Sequence, residues 1–352
     1  MAIDQQKLEQ LLGKFVVDMG ATLHASMVLI GETLGLYKAL AAGQPLTSAE
    51  LAQRTETNER YVREWLSSQC AGGYISYDSE TKRFYLTEEQ AMVLADENSP
   101  AYAPGAFQVA LAAIKAQPKI VERFRTGEGL GWHEHDPELF VGTERFFRPG
   151  YAAHLVSAWI PALNGVQEKL KQGAKVADVG CGLGASTIIM AKAFPDSTFV
   201  GFDYHPESIE LARKRAAAQG VSERTRFEVA RAKEFPGNDY DLVTFFDCLH
   251  DMGDPVGAAK HVHSALKNDG TWMIVEPFAG DQLQDNLNPV GRVYYSASTL
   301  VCTPASLAQE TGLALGAQAG EARIRDVIKK GGFTHFRRAT ETPFNLVFEA
   351  KP

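Results

Sequence analysis

The stretch Val176-Ala-Asp-Val-Gly-Cys-Gly-Leu-Gly-Ala-Ser186 limits what this chain can fold into more than any other. An apolar run ends in three glycines at alternate positions, and helix-forming residues follow to Phe194. Glycine adopts left-handed backbone freely and lets a ligand approach the main chain. The first amides of the helix behind it have no intrahelical partner and can face a ligand. Further on, Phe199-Val-Gly-Phe-Asp203 reads as a second strand ending in an acid. Strand, glycine turn, helix and acid-tipped strand together predict a site for an adenosine-containing cofactor.

The glycines alone leave the cofactor open. Gly180, Gly182 and Ala185 also satisfy the G-x-G-x-x-G/A dinucleotide fingerprint, with Asp203 in the ribose position. Three features separate the two readings. Asp178 precedes the first glycine by two residues, giving D-x-G-x-G-x-G. The loop lies mid-chain rather than at the start of a nucleotide-binding half. The segment Phe333 to Ala350 reads as an antiparallel strand pair. With these, the chain resembles the class I S-adenosylmethionine-dependent methyltransferases. That resemblance implies an α/β fold, a Rossmann-like doubly wound sheet, with S-adenosyl-L-methionine as cofactor.

The chain has 352 residues, long for one core, so more than one domain is expected. A 45% hydrophobic and 22% charged composition is that of a globular protein. The sequence shows no evident membrane span and no signal-peptide pattern, which predicts a cytoplasmic protein. Cysteines 70, 181, 248 and 302 are scattered, as in reduced proteins, without zinc-site spacing. His133 and His135 lie two apart, with no third ligand nearby, so no metal is expected.

Residues 1–100 read as a winged-helix domain. Glu32 to Ala41 has helical spacing, Thr47-Ser-Ala-Glu50 is a capping box, and Asn58 caps a helix from Glu59 to Cys70. Gly72-Gly73 ends that helix, and Tyr74 to Thr87 has the pattern of a hairpin. A winged helix suggests DNA, but this region carries eight Lys/Arg against fourteen Asp/Glu. Nucleic-acid readers carry the opposite sign. In the small-molecule O-methyltransferases that the chain resembles, such a domain pairs two subunits. The resemblance therefore implies a homodimer; the apolar segment Leu8 to Ile30 suits a helix that packs into a partner or, equally, an intramolecular core. A ligand-sensing transcriptional regulator on the same fold is the alternative.

Residues 101–165 read as a helical linker that contributes to an acceptor pocket, and 166–352 as the cofactor domain. Strands are expected at 175–179, 198–202, 225–229, 240–246 and 271–275, with helices at 186–194, 206–219 and 255–267. In such sheets ligands bind beyond the carboxyl ends of the strands.

The expected cofactor residues are Asp178, Gly180, Gly182, Gly184, Asp203, Tyr204, Arg231, Ala232, Phe246 and Asp247. Asp203 would accept the ribose hydroxyls and Tyr204 would pack on adenine. Arg231 stands where the family often has an acid that meets the adenine amino group. That contact is therefore in doubt, and backbone groups at 231–233 are the substitute.

Asp247-Cys-Leu-His-Asp-Met-Gly-Asp254 resembles the His-Asp-Trp-x-Asp element of small-molecule O-methyltransferases, with Met252 replacing tryptophan. The resemblance implies His250 as general base. An imidazole is suited to strip a hydroxyl of its proton near neutral pH. A histidine that only lines the site is the other reading, and Glu276 and Glu321 are the nearest acids to orient it. Phe146, Phe147, Tyr151, Tyr294 and Tyr295, with the stretch around Leu313, are expected to wall an aromatic acceptor pocket for a small molecule.

Overall fold

The computed structural model describes residues 3–352. It divides into two compact units, one ending at Leu111 and one beginning at Ala112.

In the first unit a long helix, Gln5–Thr33, opens with Asp4 accepting the amide of Lys7. The continuous helix expected over Glu32 to Ala41 is broken. The chain turns at Gly35 (φ 68°) and restarts as Leu36–Ala41. Ser48–Arg54 begins with the capping box, in which Thr47 accepts the Glu50 amide and Glu50 accepts the Thr47 amide. Glu59–Ala71 follows behind the Asn58 cap. Strands β1 (Ser76–Asp78) and β2 (Arg83–Tyr85) pair antiparallel to form the wing. Val28, Leu36, Tyr37, Leu51, Trp65 and Leu66 form its core.

The Gln5–Thr33 helix buries only Ala25, Val28 and Gly31, all in its last three turns. Leu11, Leu12, Phe15, Val16, Met19 and Leu23 are exposed on it. By length and composition this helix could cross a membrane, a feature that the sequence reading overlooked.

The second unit is built on a seven-stranded sheet of order β5-β4-β3-β6-β7-β9-β8. The strands are β3 (Lys175–Val179), β4 (Thr198–Asp203), β5 (Thr225–Val229), β6 (Tyr240–Phe246), β7 (Leu266–Pro277), β8 (His335–Glu341) and β9 (Asn345–Lys351). The first five are parallel, while β9 runs antiparallel to both β7 and β8. Successive residues alternate between two cores. Val176, Leu242, Met273 and Val275 face one, and Ala177, Val243, Trp272 and Ile274 face the other. A sheet buried on both faces explains why these strands read as unbroken apolar runs. Strand order reverses between β3 and β6, which opens a crevice at their carboxyl ends.

Candidate functional site

The loop between β3 and the helix Ala185–Ala193 is fixed from below and open above. Asp178, fully buried, accepts hydrogen bonds from the hydroxyls of Ser186 (2.6 Å), Thr187 (2.5 Å) and Thr244 (3.0 Å). Burial raises its carboxyl above the usual range while the three hydroxyls pull it down. All three glycines have positive φ. A Cβ on Gly184 would meet Phe227 at 2.9 Å, whereas one on Gly182 would meet nothing within 4 Å. The loop thus packs tightly on one side and leaves empty space on the other.

That space belongs to a cavity of about 540 Å³, within the size range of ligand sites. Gly180, Gly182, Asp203, Tyr204, Arg231, Ala232, Phe246 and Asp247 line it; Asp178 and Gly184 support the loop from behind. Asp203 accepts the amides of Gly182 and His205, each at 2.9 Å, one on each carboxylate oxygen. Burial raises its carboxyl, and these amides oppose the shift. Lys233, beside Arg231, pairs with Glu310 at 2.6 Å across the cavity wall.

The cavity is also lined by Phe147 and Tyr151, with rings stacked 5.9 Å apart, and by Phe140 and Trp132. The Tyr151 hydroxyl donates to Asp247 at 2.9 Å, and Asn345 donates to the other Asp247 oxygen at 2.8 Å. Burial and the charge of Glu276 push Asp247 up to about 8. Trp132 Nε1 donates to Asp251 at 2.9 Å, and burial holds Asp251 at about 6. His133 also lines the cavity, while His135 is buried away from it. Among the described residues no three potential metal ligands converge.

Comparisons with known proteins agree with this architecture. A methyltransferase-domain profile matches residues 170–320, and an Rv2258c-like winged helix-turn-helix profile matches residues 22–96. The chain carries a class I S-adenosylmethionine-dependent methyltransferase domain behind a winged-helix domain. The chain is 32% identical over 128 residues to a sterol 24-C-methyltransferase of Aspergillus fumigatus, covering 36% of this chain and 33% of that one. The chain thus spans about a third of the length of that relative. Among solved structures, mitomycin 7-O-methyltransferase superposes with a TM-score of 0.70 at 19% identity, covering 99% of this chain and 100% of that one. Human N-acetylserotonin methyltransferase gives 0.70 at 16% identity, with 100% and 99% covered. At these identities the likeness is one of fold.

Two expectations about the methyltransferase domain need correction. His250 does not line the cavity and is buried. Its Nδ1 lies 2.7 Å from Glu276. Burial alone would lower the imidazole pKa, but the Glu276 charge outweighs it and raises the group well above its ordinary value. Of the two candidate acids, Glu276 is the partner, whereas Glu321 binds Arg325 and Arg338.

The acceptor wall also differs. Tyr294 is buried with its hydroxyl on the Phe344 carbonyl, Tyr295 is outside the cavity, and Leu313 is exposed. Phe146 packs edge-on against Phe147. The residues missed by the sequence reading, Trp132, Phe140, Glu144, Asp251 and Gln309, come from three separate segments. Trp132, a large aromatic in an otherwise irregular glycine-containing loop, and Asp251, inside the His-Asp element, carried a signal.

Proposed function

We propose that this chain transfers the methyl group of S-adenosyl-L-methionine to a hydroxyl of a small, flat acceptor. The observation that carries the proposal is the continuity of one cavity. The glycine loop and Asp203 line the same cavity as the aromatic residues Phe147 and Tyr151. The empty space above Gly182 and the carboxylate at the tip of β4 fit the cofactor. Backbone at 180–182 would lie along its methionine and ribose parts, Asp203 would accept from the ribose hydroxyls, and Tyr204 with Ala230 to Lys233 would border adenine.

The cofactor supplies an electrophilic methyl group. The chain's residues position it and exclude water. Phe147 and Tyr151 hold a planar acceptor by ring contacts and keep the crevice apolar. The proton lost by the acceptor passes to a group facing the cavity, where Asp247, Asp251 and His133 are available. His250 and Glu276 form a buried ion pair that fixes the segment Leu249 to Met252.

The chain works as a cytoplasmic homodimer in this proposal, with the exposed apolar stripe of Gln5–Thr33 covered by a second copy. The acidic balance of residues 1–100 disfavours the regulator reading. Calorimetry tests the cofactor assignment. S-adenosylhomocysteine should bind in the micromolar range or tighter, and Asp203→Ala should weaken it by at least about tenfold, as expected for lost hydrogen bonds to a charged group. Tight binding of a nicotinamide dinucleotide instead would overturn the proposal.

A further inference from the structure

Asp247 sits one residue beyond β6, in left-handed backbone (φ 50°), while its amide still donates to the Val275 carbonyl of β7 at 2.8 Å. It is the one non-glycine cavity residue with such a backbone among the described residues. Aspartate visits this region at a cost, and the cost persists where surrounding contacts fix the conformation. Here Tyr151 and Asn345 fix it, one on each carboxylate oxygen. Both donors are neutral. Among the described residues no lysine or arginine pairs with Asp247, and the neighbouring His250 is engaged by Glu276. A half-buried carboxylate held by neutral donors and open to a cavity lacks a cation.

We propose that Asp247 recognises the sulfonium charge of the methyl donor, so that the site holds S-adenosyl-L-methionine and releases the neutral thioether left after transfer. This rests on the methyl-donor reading above. Transfer breaks the sulfur–methyl bond, and the bonding pair returns to sulfur, which becomes neutral; the positive charge leaves with the methylated acceptor or its proton. A carboxylate facing sulfur then loses its partner. Asp203, at the tip of the neighbouring strand, faces hydroxyls common to donor and product and cannot discriminate between them.

The surroundings of Asp247 couple this recognition to a proton. Glu276 on β7 and burial favour the protonated acid, while Tyr151, Asn345 and the His250 charge oppose it; Cys248 and Tyr294 are the other titratable neighbours. With the group at about 8, the empty site holds a proton at neutral pH. A sulfonium displaces that proton to solvent, and a thioether does not.

Calorimetry on the full chain tests this with two ligands, S-adenosyl-L-methionine and S-adenosylhomocysteine, between about pH 6 and pH 8.5 in buffers of different ionisation enthalpy. Affinity for the methyl donor should rise by about tenfold or more across that range, with proton release on binding. Affinity for the product should change by less than about threefold. Asp247→Asn should flatten the donor profile and bring the two affinities together, and Tyr151→Phe, which keeps the carboxylate, should preserve the difference. Equal pH dependence for both ligands would mean that Asp247 reads the ammonium they share and would overturn the proposal. So would a donor profile unchanged by Asp247→Asn. If neither ligand binds at any pH, the methyl-donor reading itself fails.

Discussion

Glu276 and His250, both buried, meet at 2.7 Å from neighbouring segments, and the second Glu276 oxygen accepts the Leu249 amide at 3.0 Å. Removing the imidazole leaves a buried carboxylate facing an empty space. His250→Ala should therefore cost about 3–5 kcal/mol of stability, read by chemical denaturation. S-adenosylhomocysteine affinity should be unchanged, because no part of that ring reaches the cavity. Once an acceptor is in hand, turnover per folded molecule should fall far less than the 10²–10⁴-fold typical of a lost general base.

The glycine loop gives a paired test. At Gly184 an added Cβ meets Phe227 at 2.9 Å and Ala212 at 3.0 Å in a left-handed backbone, so Gly184→Ala should destabilise the fold by about 1–3 kcal/mol. At Gly182 the backbone is also left-handed but the space is open. Gly182→Ala should leave the melting temperature closer to wild type and instead weaken S-adenosylhomocysteine, measured side by side.

Asp247 also makes stability depend on pH. Its folded pKa lies above the unfolded value, so its stabilising contribution is complete below about pH 4 and is lost as pH rises through about 8. Replacing it with asparagine removes that loss. Asp247→Asn should melt higher than wild type at pH 9 by the equivalent of about 2 kcal/mol, and lose the advantage near pH 5. Solvent in the open cavity screens the carboxylate and limits the effect. A melting difference that stays constant between these pH values would contradict it.

The exposed stripe of the first helix predicts its own partner. Leu11 and Phe15 are 65% and 64% exposed. The double substitution Leu11→Glu, Phe15→Glu should halve the mass seen by sedimentation without lowering secondary structure. An unchanged mass would exclude this face as the dimer contact, and loss of vesicle binding would point to a membrane instead.

The parts of this fold legible in sequence were those set by local chemistry. The strands from Lys175 to Phe246 announce themselves through apolar runs, the glycine loop through backbone needs, and Asp203 through its place at a strand tip. The acceptor wall was not legible in the same way. Phe147 and Tyr151 face the cavity while Tyr294 does not, yet all three are aromatics on helices. Which face a helix turns inward depends on contacts formed far along the chain. The surroundings of His250 are hidden in the sequence for a related reason. Its neighbours in sequence suggest a base, whereas its ring is held by Glu276, 26 positions away.

The last strand of the sheet has a consequence for how the protein is made. Asn345, at the start of β9, clamps a carboxylate 98 positions earlier in the chain. At ribosomal speeds of roughly 5–20 residues per second, Asp247 emerges several seconds before its clamp exists. The nascent chain therefore holds a glycine loop and a half-formed crevice that cannot yet grip a charged ligand in the intended geometry. Assembly of the site is a late event in biosynthesis, completed only when β9 slots between β7 and β8.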